Sequence, residues 1–182
     1  MLRTILNYGA IAGLLVGIPT FAGFAILREN HPGGAAGMAL GYSIMLLGLS
    51  MVFLAIKRRR DELGGVIRFL PAFGLGLGIS IVASLFYVVA WEAAQAVTGI
   101  DYIGGYIDSM IAEKRAQGAS AAEIATFAAE MAAFKADYAN PLFRIPMTLT
   151  EILPVGLLVS LVSAGLLCNA RFLPNRAAPR AV

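Results

Sequence analysis

Four apolar runs, each about as long as a bilayer is thick, constrain this chain more than any other feature. Residues 5–27 and 35–56 contain no charged side chain, and residues 69–97 and 146–168 contain one each, Glu92 and Glu151. A helix needs about 20 apolar residues to cross the hydrocarbon core. A helix also satisfies its own backbone polar groups, which lipid cannot do. The runs therefore predict an all-α integral membrane protein with four transmembrane helices. Composition agrees: 59% of residues are hydrophobic and 14% charged, against roughly 25% charged in an ordinary soluble domain. Mean hydropathy is +0.78.

The connections set the orientation. Five of the fourteen basic residues, Lys57, Arg58, Arg59, Arg60 and Arg68, crowd into the link between the second and third runs. Short loops rich in Lys and Arg stay on the cytoplasmic side, so residues 57–68 read as a basic cytoplasmic loop. With segments 1–4 and 169–182 this side holds nine basic and two acidic residues. The opposite side, 28–34 and 98–145, holds five basic and seven acidic ones. The asymmetry predicts a multi-pass membrane protein with four spans and both termini cytoplasmic. It also explains a pI near 9.2 without a nucleic-acid partner; the bilayer is the partner it implies. The same basic loop has the makings of a patch for anionic headgroups. Residues 1–25 admit a second reading as a cleavable signal peptide. We favour a retained helix, and either reading leaves the remaining topology unchanged.

Small residues recur within the spans. Gly9, Gly13 and Gly17 lie on one stripe of the first helix, and Gly33, Gly37 and Gly41 on one stripe of the second. Such stripes let helices approach closely, so the first two spans are expected to pack as a hairpin (57–68 following it) through these faces. Joining of separate subunits through the stripes is the rival. Pro19 is expected to kink the first span. His31 sits in the polar turn 28–34 and reads as a solvated loop residue. Tyr87 and Trp91 read as interface anchors.

Residues 98–145 change character. Ile103, Tyr106, Ile107, Met110 and Ile111 follow one helical face. Ser120 and Glu123 form a capping box for a second helix, whose stripe is Ile124, Phe127, Met131, Phe134 and Tyr138. Asn140-Pro141 ends it. This segment is predicted to be an extracytoplasmic two-helix hairpin between the third and fourth spans. Its stripes bury each other, or the second of them serves as a partner face. The tail after Cys168 is expected to be disordered.

Little here suggests catalysis. One His and one Cys rule out the usual His-based triads and Cys-rich metal sites. Gly74-x-Gly76-x-Gly78 lies inside an apolar span without the strand–turn–helix context of a dinucleotide site. No cofactor is expected. The candidate ion or proton site is Glu92 and Glu151 with Thr148 and Thr150, the two carboxylates placed about five residues inside the outer ends of their spans. Oxygen ligands of this kind suit protons or hard cations. The competing expectation is that the glutamates are neutralised at the interface, with Arg144 or Arg28 as counter-ion, and stitch the hairpin to the bundle.

Several stretches also carry a resemblance. They are Tyr8-Gly9-Ala10-Ile11-Ala12-Gly13, Gly41-Tyr42-Ser43, Gly64-Gly65, Phe73-Gly74-Leu75-Gly76, Ala83-Ser84-Leu85-Phe86-Tyr87-Val88, Asn140-Pro141-Leu142-Phe143, Glu151-Ile152-Leu153-Pro154-Val155-Gly156-Leu157 and Ser160-Leu161-Val162-Ser163-Ala164. In this order and spacing the chain resembles a bacterial membrane-protein family known as domain of unknown function forty-one ninety-nine. The resemblance implies four spans with an outer helical insertion and no particular activity. The expected function is a non-enzymatic scaffold or accessory subunit that meets a membrane-protein partner through the outer hairpin. The alternative is a small homo-oligomeric transporter or channel, coupled to protons or cations through Glu92 and Glu151.

Overall fold

The computed structural model describes residues 1–27, 34–99 and 101–174. Six helices follow one another: α1 (Leu2–Leu27), α2 (Gly34–Glu62), α3 (Phe69–Thr98), α4 (Tyr102–Ala116), α5 (Ala121–Tyr138) and α6 (Pro141–Leu167). There is no strand among the described residues. α1, α2, α3 and α6 are long and apolar enough to cross a membrane, which marks a multi-pass membrane protein. α3 is the centre of the bundle, with its most extensive packing against α1 and then α6, while α1 and α6 each pack on α2 as well. The core runs through Val16, Leu49, Val52, Ile56, Leu75, Ile79, Ile152 and Leu167, none more than 1% exposed. His31, Arg28 and Gly33 lie outside the described residues.

Small residues govern the central interfaces. A Cβ added at Gly9 would lie 2.6 Å from Val82 Cβ, and one at Gly13 2.5 Å from Phe86 Cβ. The stripe of α1 therefore packs on α3, not on α2 as expected. α2 meets α1 through another glycine, Gly48, where a Cβ would lie 2.4 Å from Val16 Cγ2. Gly41 faces open space. Sequence adjacency of α1 and α2 suggested the pairing, but the smooth face of α1 is taken by α3, the helix on which it packs most extensively. α3 and α6 approach through Ser80, Gly156 and Ser160: Ser160 Oγ donates to Gly156 O at 2.7 Å, and the two hydroxyls lie 3.2 Å apart. These buried hydroxyls are satisfied without water, as an apolar surrounding demands.

Two boundaries differ from expectation. First, Lys57–Glu62 is helix rather than loop. Lys57 pairs with Asp61 at 2.8 Å, and Arg58 and Arg59 with Glu62 at 3.4 and 3.2 Å. Such pairs support a helix surface, and the basic last turn suits the helix dipole. The helix closes at Gly64, φ +86°, with Gly65 N–H donating to Arg60 O and Gly64 N–H to Asp61 O. That is the Schellman arrangement. Second, α6 starts at Pro141, not Pro146. Asn140 caps it by accepting from Leu142 N–H at 3.0 Å, and Pro at the first helical position is favoured there. The dipeptide that ends α5 thus also opens α6.

The chain after α6 is not wholly free. Arg60 is fully buried, and donates to Phe172 O at 2.7 Å and Leu173 O at 2.5 Å. Phe172 packs edge-on against Phe53. Residues 169–174 are thus docked on the end of α2, contrary to the expected disorder from residue 169; 175–182 lie outside the described residues. Arg60 had read only as one charge among four. Its burial follows from the helical extension, which turns the fourth basic residue toward the core.

Candidate functional site

The α4–α5 end of the bundle gathers the polar residues that the spans carry. α6 begins a turn earlier than expected, which places Arg144 inside its first turns, facing Glu92 of α3. Arg144 Nε donates to Glu92 Oε1 at 2.7 Å, and Nη2 to Oε2 at 2.6 Å. The pair is two-pronged, the geometry that suits a guanidinium and a carboxylate. Nη1 donates to Tyr138 O at 3.2 Å. One side chain of α6 thus binds α3 and the C-terminal end of α5 together. Their side chains are 14% and 28% exposed.

An aromatic cluster lies beside this pair. Trp91 Nε1 donates to Tyr138 Oη at 2.9 Å. The Trp91 ring meets Phe24 and Tyr102 edge-on at centroid distances of 4.9 and 5.2 Å, and Phe24 meets Tyr102 at 5.1 Å. Edge-to-face pairs at such separations are favourable beyond their burial. Helices α1, α3, α4 and α5 each contribute one ring. Trp91 and Tyr87 are 8% and 6% exposed, so they are buried contacts rather than the surface anchors expected. Their aromatic character was visible in sequence, but their burial depends on the hairpin folding back over them. Burial pushes the Tyr138 and Tyr102 phenols up, which keeps both neutral.

Glu151 takes a different partner. It accepts from Tyr87 Oη at 3.1 Å and is exposed on the surface of the chain. The earlier start of α6 puts it about ten residues inside that helix rather than five. Seven residues separate it from Arg144, or roughly 10 Å along the axis. Glu92 and Glu151 therefore lie at successive levels, with separate partners. Thr148 is buried, and its Oγ1 donates to Arg144 O at 3.0 Å; Thr150 Oγ1 donates to Met147 O at 2.6 Å. Both hydroxyls donate within their own helix, and that of Thr148 also meets the Tyr138 hydroxyl of α5. Among the described residues no three His, Cys, Asp or Glu side chains group as metal ligands.

The α4–α5 hairpin has its own ties. Lys135 bonds Asp101, which also caps α4 by accepting from Gly104 N–H at 2.9 Å. Lys114 sits 4.7 Å above the Phe127 ring. Ile124, Phe127, Met131 and Phe134 are half-buried and Tyr138 is buried. The stripe faces inward; Phe134 meets Tyr138 and, at 6.0 Å, Phe143 of α6. Ser120 and Glu123 form the reciprocal capping box.

These ties make the hairpin acid-sensitive. The Lys135 ammonium, then Gly104 N–H, hold the Asp101 carboxyl below its ordinary range. The Ser120 N–H and hydroxyl do the same for Glu123. Carboxyls depressed in the fold stabilise it fully above their unfolded pKa, about 4, and lose that contribution as pH falls through the folded values. The hairpin should therefore hold constant stability above about pH 5 and loosen below about pH 4. Emission from the single tryptophan, Trp91, checks this: a red shift on acidification is expected, and its pH dependence should be weaker in Ser120→Ala, where Glu123 has lost the hydroxyl bond that helps depress its carboxyl. An emission maximum unchanged down to the folded pKa values would refute it.

No curated protein and no solved structure matches this chain. The family model described as Protein of unknown function (DUF4199) matches residues 7–169. That span takes in all four long apolar helices from Asn7 onward, both hairpin helices and the Arg144–Glu92 pair. The chain belongs to this family of proteins of unknown function.

Proposed function

We propose that this protein is a non-enzymatic scaffold or accessory subunit of a bacterial inner membrane. Its α4–α5 hairpin stands on the extracytoplasmic side, both termini are cytoplasmic, and the hairpin contacts a membrane-protein partner. The observation that carries this reading is the Arg144–Glu92 clamp. A carboxylate available to a substrate would be costly to keep in a span without purpose. Here Glu92 is used to fix the hairpin on the bundle, and the threonine hydroxyls donate to backbone carbonyls of their own helix. The arrangement holds a hairpin in one pose, which suits recognition rather than transport. The inward stripe builds the hairpin, so its outward positions, such as Ala122, Ala129 and Ala133, all exposed, are where a partner would touch.

A photo-crosslinking amino acid at each of these three positions tests the reading in intact membranes. A single discrete adduct shared by all three sites is expected. In parallel, proteoliposomes should show no proton or cation flux above protein-free vesicles. Absence of any discrete adduct rejects the accessory-subunit reading. A flux abolished by Glu151→Gln replaces it with the oligomeric transporter, for which Glu151, exposed on a spanning helix, would be the residue shared at a subunit boundary.

A further inference from the structure

At the opposite end from the hairpin, the first turns of α1 meet the last turns of α2 in a polar cleft. Its lining is Arg3, Thr4, Asn7, Tyr8, Arg58, Arg59 and Glu62, around a space of about 150 Å³. Three guanidinium groups face one carboxylate there, a formal charge of +2. Glu62 engages Arg58 through Nε and Arg59 through Nη1. Each of these arginines keeps further N–H groups for another acceptor, because a guanidinium carries five. Arg58 Nη1 also approaches Tyr8 Oη at 3.5 Å, which ties α2 to α1 across the cleft. Thr4, Asn7 and Tyr8 add neutral donors. Arg3 and Thr4 belong to the first turn of α1, where the helix dipole favours an anion.

A second, shallower cleft of about 550 Å³ shares Tyr8, Arg58 and Glu62 with the first. Leu54, on the apolar surface of α2 and 46% exposed, lines it. The polar space therefore opens onto the side of a spanning helix. A free ion needs no such apolar continuation, whereas an acyl chain does.

We propose that this cleft binds the phosphate of an anionic phospholipid, with its acyl chain running along α2 past Leu54. The arginines supply forked contacts to phosphate oxygens, and Thr4, Asn7 and Tyr8, which line the same cleft, offer hydrogen bonds to the oxygens around the phosphate. This gives the basic end of α2 a role that orientation alone does not require. Charge that only orients a span needs no concavity, and Arg68 and Arg171, at the same end, lie outside the cleft.

Native mass spectrometry of the full chain, released from nanodiscs of equal phosphatidylglycerol and phosphatidylcholine, tests the proposal. The wild type should retain phosphatidylglycerol in clear preference. Arg3→Gln and Arg58→Gln should each reduce that preference about fivefold, while Arg68→Gln leaves it intact. Arg3→Gln breaks no ion pair among the described residues, so it reads binding even if Arg58→Gln perturbs the helix end; unchanged Trp91 emission certifies the fold. Equal retention of the two lipids overturns the proposal. So does an equal loss in Arg68→Gln, which would mean diffuse surface attraction. Displacement of phosphatidylglycerol by inorganic phosphate overturns the lipid assignment in favour of a free-ion site.

Discussion

Arg144→Gln is expected to lower the stability of the bundle by about 2–4 kcal/mol, and Glu92→Gln by a similar amount. Removing either partner leaves the other charged, only 14% or 28% exposed, and without its counter-ion. Full burial would put the loss at the top of the range; partial access to water or headgroups moderates it. The double variant Glu92→Leu with Arg144→Leu should recover much of the loss, because a well-packed apolar pair often matches a buried ion pair. The cycle therefore separates the cost of a stranded charge from the value of the clamp. Unfolding in mixed micelles, followed by Trp91 emission, measures it. Trp91 donates to Tyr138, so the probe sits where the hairpin docks. Coupling below about 0.5 kcal/mol, the range of independent sites, would show that the two residues do not act as a unit. The hairpin would then be held mainly by its aromatic contacts and the Trp91–Tyr138 bond.

The broad architecture was legible in the sequence because it rests on length and polarity. Four apolar runs of bilayer length within 182 residues mark a multi-pass membrane protein. The bounds of α5 were legible because its start and stop signals are local: Ser120 with Glu123, and Asn140 with Pro141, act within a few residues. Arg144 as counter-ion to a glutamate was also within reach, since a carboxylate in a span asks for one. What failed were readings that depended on which helix lies beside which. The stripe Gly9, Gly13, Gly17 states that something approaches closely but does not say what. Trp91 looked like a membrane anchor because its burial comes from residues 11 and 47 positions away, Tyr102 and Tyr138. Arg60 differed from Arg58 and Arg59 only through the rotation of a helix taken to have ended. The depth of Glu151 moved with one boundary, since Pro146, a good opener of a helix, stands inside α6 instead.

Gly13→Ala should weaken the fold by about 1–3 kcal/mol, the usual cost of overpacking, and Gly13→Leu by more. The added carbon at Gly13 would meet Phe86 Cβ at 2.5 Å and Cγ at 2.7 Å. These atoms are fixed near the backbone of α3 and cannot swing aside as a side-chain tip can. α1 must therefore move off the helix against which it packs most. Gly9 is equally tight, with Val82 Cβ at 2.6 Å and Ile79 O at 3.2 Å; at Gly17 the nearest atom is Ala90 Cβ at 3.1 Å. A graded series follows, in which Gly9→Ala and Gly13→Ala lose most and Gly17→Ala less. Gly41→Ala, with nothing within 4 Å, should be neutral or mildly stabilising, since alanine is the better helix former by about 1 kcal/mol. Detergent titration of the four variants measures the order. If Gly13→Ala is as harmless as Gly41→Ala, α1 does not rest on α3 through this face. If instead Gly41→Ala abolishes an oligomer while the monomer stays folded, the stripe of α2 joins separate copies, and the open space beside Gly41 is where a second copy sits.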